Sequence, residues 1–252
     1  MIKVEQLNKR FSLKKEQKKE LNTTDTYTYA VKDLSFECRP GEIFSLLGPN
    51  GAGKTTTLRM LSTVIKPTSG SIEMGGINAI EYPSEARGKI GFLTGSTGLY
   101  ARLNAHELID YFASLYGVLN PELSERKKYL FDLLDMNEFA HKRIGKLSTG
   151  MKQKVSICRT MIHDPEIVIF DEPTSGLDVI TAESIIQLIR DCKSQNKTVI
   201  FSSHIMGEVD LLCDRLAIIH KGELKYHGEM KDFRKNMTEK NLTGEFIKTV
   251  QS

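Results

Sequence analysis

Residues 43–65 read IFSLLGPNGAGKTTTLRMLSTVI. The apolar run IFSLL has the composition of a buried strand, KTTTLRMLSTVI has that of a helix, and the turn between them fits G-x-x-x-x-G-K-[ST] from Gly48 to Thr55. Glycines in such a turn let consecutive backbone N–H groups converge on phosphate oxygens. The following helix adds its positive N-terminal end, and Lys54 adds a point charge for the β- and γ-phosphates. Thr55 offers its hydroxyl to Mg²⁺. Strand, turn and helix together predict a nucleotide-phosphate site on an α/β fold.

The same alternation recurs outward from this stretch. EIVIF precedes ITAESIIQLIRDC, TVIFSS precedes IMGEVDLLC, and RLAII follows, which predicts a mostly parallel core sheet. Ile185, Leu188, Ile189 and Cys192 share one helix face, the stripe a helix needs to cover a sheet. From Ile90 to Pro165 the pattern reads as helices only. Asn104 is a candidate cap, Leu108, Phe112, Leu115 and Tyr116 are placed on one face, and RKKYLFDLLDM is a second helical run. An α-helical lobe is therefore expected as an insertion over residues 95–165. IKVEQL, LSFEC and SGSIEMGG read as antiparallel strands of a small β subdomain. The segment KKEQKKELNTTDT, Lys14 to Thr26, reads as a solvated hairpin extension, and the polar tail at 229–252 as one surface helix.

Composition limits what this chain is expected to do. With 252 residues, 40% of them apolar and 27% charged, a single domain spanning 1–252 with an added lobe is expected. No apolar run reaches the roughly 18 residues of a membrane span, and MIKVEQLNKR lacks the core of a secretory signal, so a cytoplasmic protein is expected. A net charge of +3 without a concentrated basic stripe argues against nucleic acid as a partner. Cys38, Cys158, Cys192 and Cys213 are scattered among apolar neighbours and read as reduced core thiols.

A phosphate loop needs a carboxylate at a neighbouring strand end to hold the metal, and IVIFDEPT places Asp171 there. Glu172 follows at once; side-chain alternation turns it away from Asp171, so it can act on an attacking water. FSSHIMGEVD puts His204 between a strand and a helix, where it can sense the γ-phosphate. In LSTGMKQKVSICRTMI, Ser148 and Gly150 open an amphipathic helix whose N-terminus makes a second anion site. One loop already surrounds one face of the nucleotide. The second site therefore implies two copies packed head to tail, each closing the other's pocket.

GPNGAGKT, LSTGM, IVIFDE, SGLD and SSH, in this order over nearly the whole chain, resemble the ABC ATPases. The resemblance implies an ABC-type P-loop fold that hydrolyses ATP with Mg²⁺ and works as a homodimer, or with a homologous second motor. It implies a membrane permease that holds the protein on the inner face of the cell membrane. Carried onto this sequence, Gly48, Pro49, Asn50, Gly51, Ala52, Gly53, Lys54, Thr55 and Thr56 would hold the phosphates, and Thr55 and Asp171 the Mg²⁺. Glu172 would be the general base, with His204 and Lys54 assisting. Ser148 and Gly150 would meet the γ-phosphate on the opposite subunit, and Asp178 in SGLD would bridge the two sites. Phe11 in NKRF is the first choice for the ring that stacks on adenine, and Tyr29 the second.

Two departures from the family pattern stand out. The signature usually reads LSGGQ, and here Thr149 and Met151 replace a glycine and the glutamine, keeping Ser148 and Gly150. Gly95, in IGFLTGSTGLY, occupies the position of a glutamine that normally touches Mg²⁺ and water. The finer pattern resembles the sodium-extruding Nat branch and its drug-exporting relatives, implying an exporter. The competing reading is a soluble ABC ATPase that switches by nucleotide-dependent dimerisation without transport.

Overall fold

The computed structural model describes residues 1–20, 22–94 and 98–251. Strand β1 (Ile2–Ser12) passes through a helical turn, α1 (Lys15–Glu20), and returns as β2 (Tyr27–Cys38); β3 (Ile43–Leu47) then runs into α2 (Lys54–Leu61). Strands β4 (Ser69–Met74) and β5 (Ile77–Asn78), helix α3 (Pro83–Gly88) and strand β6 (Ile90–Leu93) come next. Helices α4 (Ala105–Leu115), α5 (Glu122–Leu133) and α6 (Thr149–Met161) follow. The alternation resumes with β7 (Ile167–Asp171), α7 (Val179–Ser194), β8 (Thr198–Ser202), α8 (Met206–Leu212), β9 (Arg215–His220) and β10 (Glu223–Glu229). Helices α9 (Met230–Lys235) and α10 (Leu242–Gln251) end the described chain.

Among the described residues the strands form two sheets. The larger has the order β10-β9-β3-β8-β7-β6, parallel from β9 to β6 with β10 antiparallel on its edge; the smaller is antiparallel, β2-β1-β4-β5. Every residue of β3, β7 and β8 is buried, as expected for parallel strands covered on both faces. Successive side chains serve opposite cores. Ile43, Leu47, Val168, Phe170, Val199 and Phe201 join α4, α5, α6 and α7 on one side. Phe44, Leu46, Ile167, Ile169 and Ile200 join α2 and the antiparallel sheet on the other, where Phe44 stacks on Phe36 at 5.1 Å between ring centroids.

Four sequence expectations change. The stretch from Ile90 is not helical at its start: Ile90–Leu93 pairs in register with Ile167–Phe170 as the edge of the parallel sheet. Four residues are too few to show a strand period against the long helices that follow. Asn104 caps α4 as expected, in a reciprocal box with Glu107, but the buried stripe is Ala105, Leu108, Ile109 and Ala113, and Leu115 and Tyr116 are exposed. The packed face is the one that carries Ala105 and Ala113 beside Leu108 and Ile109 into the core. The tail forms two helices that join the core through Met230, Phe233 and Leu242, where one surface helix was expected. The Lys14–Thr26 segment does connect a hairpin, with Ser12 opposite Tyr27, but contains α1. All four cysteines are free and buried.

Candidate functional site

Because β3, β8 and β7 are adjacent and parallel, their C-terminal ends open on one edge, where loops from an α/β sheet meet ligands. Three loops emerge there, carrying Gly48–Gly53, Glu172 and His204. A cavity of about 170 Å³ lies between the first two, lined by Ala30, Pro49, Asn50, Gly51, Ala52, Gly53, Lys54, Thr55, Thr56 and Glu172. That volume suits a phosphate chain and falls below the roughly 300 Å³ of pockets that enclose whole ligands.

Two glycines are required by contact. A Cβ on Gly48 would sit 2.3 Å from the Ile219 carbonyl oxygen, and one on Gly53, at φ 108°, would sit 2.3 Å from that of Ala30. The loop is thereby pressed against β9 and β2, while Gly51 faces open space. Lys54 is buried at the start of α2, and its Nζ donates to the carbonyl oxygens of Gly48 at 2.7 Å and Pro49 at 3.3 Å. Burial pulls its pKa below the ordinary value, opposed by the charges of Glu172 and Asp171.

Asp171 ends β7 with a buried carboxylate whose Oδ1 accepts from Thr55 Oγ1 at 3.2 Å and from Ser202 Oγ at 2.8 Å. Carboxylate and hydroxyl oxygens are the hard donors Mg²⁺ takes, so Thr55 and Asp171 fit a magnesium ion held beside a phosphate chain. Glu172 lies past the strand end at φ 50°, a left-handed conformation. This turn, rather than strand alternation, separates its carboxylate from that of Asp171. Its Oε1 lies 4.0 Å from Lys54 Nζ and its Oε2 3.3 Å from His204 Nδ1. His204 is exposed, on a turn held by Ser203, whose Oγ donates to Glu208 at 2.8 Å and accepts from the Ile205 N–H at 3.0 Å.

Ser148, Gly150 and Asp178 belong to a second cluster. Exposed Ser148 caps α6 by accepting from the Met151 N–H at 3.2 Å. Asp178 caps α7, accepting from Thr181 N and Thr181 Oγ1, both at 2.9 Å, and these bonds hold its carboxyl below the usual range. A Cβ on Gly150 would lie 3.9 Å from Asp178 Oδ2. Phe11 and Tyr29 are exposed on adjoining positions of the β1–β2 hairpin, opposite Thr28 and Arg10; Lys9 Nζ lies 5.2 Å from the centre of the Phe11 ring. Gly95 lies outside the described residues.

The sequence reading passed over Ser202 and Gln153. Ser202 Oγ accepts from the Glu172 N–H at 3.0 Å while donating to Asp171, so one hydroxyl holds the Asp171 carboxylate and the Glu172 backbone. Its only signal was its place in SSH at a strand end. Gln153 Nε2 donates to the Pro173 carbonyl oxygen at 3.0 Å, a contact between segments far apart in sequence.

Comparison with known proteins agrees with this geometry. The family described as "ABC transporter" matches residues 31–175, more than half of the chain. The ABC transporter ATP-binding protein NatA of Bacillus subtilis is 41% identical over 219 residues, 86% of this chain and 89% of NatA. The linearmycin resistance ATP-binding protein LnrL of the same organism is 38% identical over 80% of this chain and 65% of its own length. The dimeric post-hydrolysis structure of the ATP-binding cassette MJ0796, bound to ADP and Pi, superposes with a TM-score of 0.78 and 26% identity, covering 91% of this chain and 99% of that one. The chain therefore belongs to the ABC transporter family, as an ATP-binding subunit that hydrolyses ATP to energise transport. Among the described residues no helix is long and apolar enough to cross a membrane.

Proposed function

We propose that two copies of this chain, or this chain and a homologous motor, close head to tail over two ATP molecules and drive a permease on the inner face of the membrane. The observation that carries the chemistry is Glu172, whose carboxylate stands between Lys54 Nζ at 4.0 Å and His204 Nδ1 at 3.3 Å at the cavity that takes the phosphates. Glu172 accepts a proton from water as the water oxygen bonds to the γ-phosphorus; the bond from that phosphorus to the β–γ bridging oxygen breaks, and ADP and phosphate leave. His204 orients Glu172 and the water, and Lys54 turns from its loop carbonyls to the β- and γ-phosphates. Thr55 and Asp171 would hold Mg²⁺, which would supply charge neutralisation at the phosphate oxygens.

The dimer reading is supported by Ser148, exposed on a capped helix end beside Gly150 and Asp178 and not among the residues that line the Lys54 cavity. In the dimer, Ser148 and Gly150 meet the partner's γ-phosphate and Asp178 links the sites; the MJ0796 cassette is itself dimeric. Phe11, with Tyr29 as the alternative, stacks on adenine beyond Ala30, which borders the cavity. The likeness to NatA and to a linearmycin resistance protein supports an exporter of sodium or a drug-like cargo.

Glu172→Gln tests the assignment. Turnover should fall by at least about 100-fold, the scale of losing a general base, while ATP binding persists and the ATP-bound dimer accumulates on size exclusion. Unchanged turnover removes Glu172 from this role.

A further inference from the structure

Glu172 holds a left-handed backbone conformation that a non-glycine residue keeps only where its surroundings dictate it. From β8, Ser202 receives the Glu172 N–H on its carbonyl oxygen at 3.2 Å and on its hydroxyl at 3.0 Å. Downstream, the Ser175 N–H donates to the Glu172 carbonyl at 3.2 Å. A third tie comes from another part of the molecule. Gln153, half-buried on α6, donates from Nε2 to the Pro173 carbonyl oxygen at 3.0 Å, one peptide beyond Glu172.

Gln153 lies three positions after Gly150, so the two share a face of α6. That face meets both ends of the loop between β7 and α7: Gln153 touches Pro173 near its start, and Gly150 lies against Asp178 at its end. The helix N-terminus carries exposed Ser148. A shift of α6 is therefore felt by the loop that carries Glu172.

We infer that Gln153 is a positioning residue for Glu172, fixing the carboxylate's place by tying the Pro173 peptide to helix α6. The inference rests on Glu172 being the general base. Under it, the helix that meets the partner's nucleotide also sets the base of its own subunit's site, by way of Gln153. Gln153 is not among the residues that line the Lys54 cavity; it acts through the Pro173 carbonyl.

The test is steady-state ATPase of the full-length protein against ATP concentration, with thermal melting, for Gln153→Leu, Gln153→Glu and Gln153→Lys. Leu and Glu cannot donate to the carbonyl, and kcat should fall about tenfold with KM changed less than twofold, a size typical of energetic coupling between segments. Lys keeps an N–H donor of similar reach and should recover at least half of the wild-type kcat. In a Glu172→Gln background, Gln153→Leu should lower the residual rate by less than twofold, because the effect runs through Glu172. Wild-type turnover in the Glu variant overturns the inference. So does an equal loss in all three variants that follows their melting temperatures, or a further tenfold loss in the double variant. Full activity of Glu172→Gln alone would instead overturn the assignment of the base.

Discussion

Asp171 and Glu172 are consecutive carboxylates with different surroundings, and the difference comes from backbone rather than side-chain chemistry. Asp171 is the last residue of β7 and buried among hydroxyls; Glu172 has left the strand in a left-handed turn and faces a lysine and a histidine. Ser202 holds the junction. Removing its buried hydroxyl in Ser202→Ala takes a donor from Asp171 Oδ1 and one acceptor from the Glu172 N–H. The variant should lose about 1–3 kcal/mol in urea unfolding, and its kcat should fall more than its apparent ATP affinity. A variant as stable and as active as wild type would show that Ser202 is not needed at the junction. That Lys54, Asp171 and Glu172 come together beside one cavity was legible from residue type and spacing. Ser202 was not, because a serine at a strand end looks the same whether its hydroxyl meets water or the Asp171–Glu172 junction.

At the scale of elements, His163 joins three of them: it follows α6, its Nε2 bonds to the Ile90 carbonyl of β6 at 3.2 Å, and its ring stacks on Tyr116 after α4 at 3.8 Å. Burial pulls its pKa down to about 4, helped by Arg126 and Lys197 and opposed by Asp164 and the Ile90 carbonyl. The folded protein thus keeps His163 neutral, whereas the unfolded chain takes up a proton near the ordinary value of about 6.5. Stability from this group is complete above that value and is lost as pH falls from about 6.5 towards 4, by up to about 3 kcal/mol. His163→Phe keeps the stacking and cannot titrate. Urea unfolding at several pH values between 7 and 4 should show a shallower loss for the variant than for wild type; identical slopes would exclude His163 as the source. The helices themselves were readable from caps and periodicity, as Asn104 and Ser148 show. Which face of α4 is buried depends on how closely neighbouring helices approach, and a single chain's pattern does not state that distance.

At the scale of the molecule, α9 and α10 return to the sheet and bury Met230, Phe233 and Leu242 in the same core as the helical lobe; Phe233 meets Tyr226 of β10 edge-on at 4.7 Å. Phe233→Ala should therefore destabilise the whole protein by about 3–5 kcal/mol, read as a lower urea midpoint with one cooperative transition. A variant that unfolds like wild type would return the tail to the surface. The tail's few apolar residues are spread through a polar sequence, so its composition read as surface, and the contacts that bury it come from residues before Glu229. The amino-acid sequence by itself determined the phosphate loop, the strand ends that bear carboxylate and histidine, and the α/β alternation, because these depend on local periodicity and on residue chemistry at fixed spacing. Only the tertiary structure decided the fifth parallel strand at Ile90, the burial of the tail, the left-handed turn of Glu172 and the bond from Gln153 to Pro173. Each of these is, or in the case of the Glu172 turn is held by, a contact between segments distant in sequence, and no local pattern encodes which segments meet.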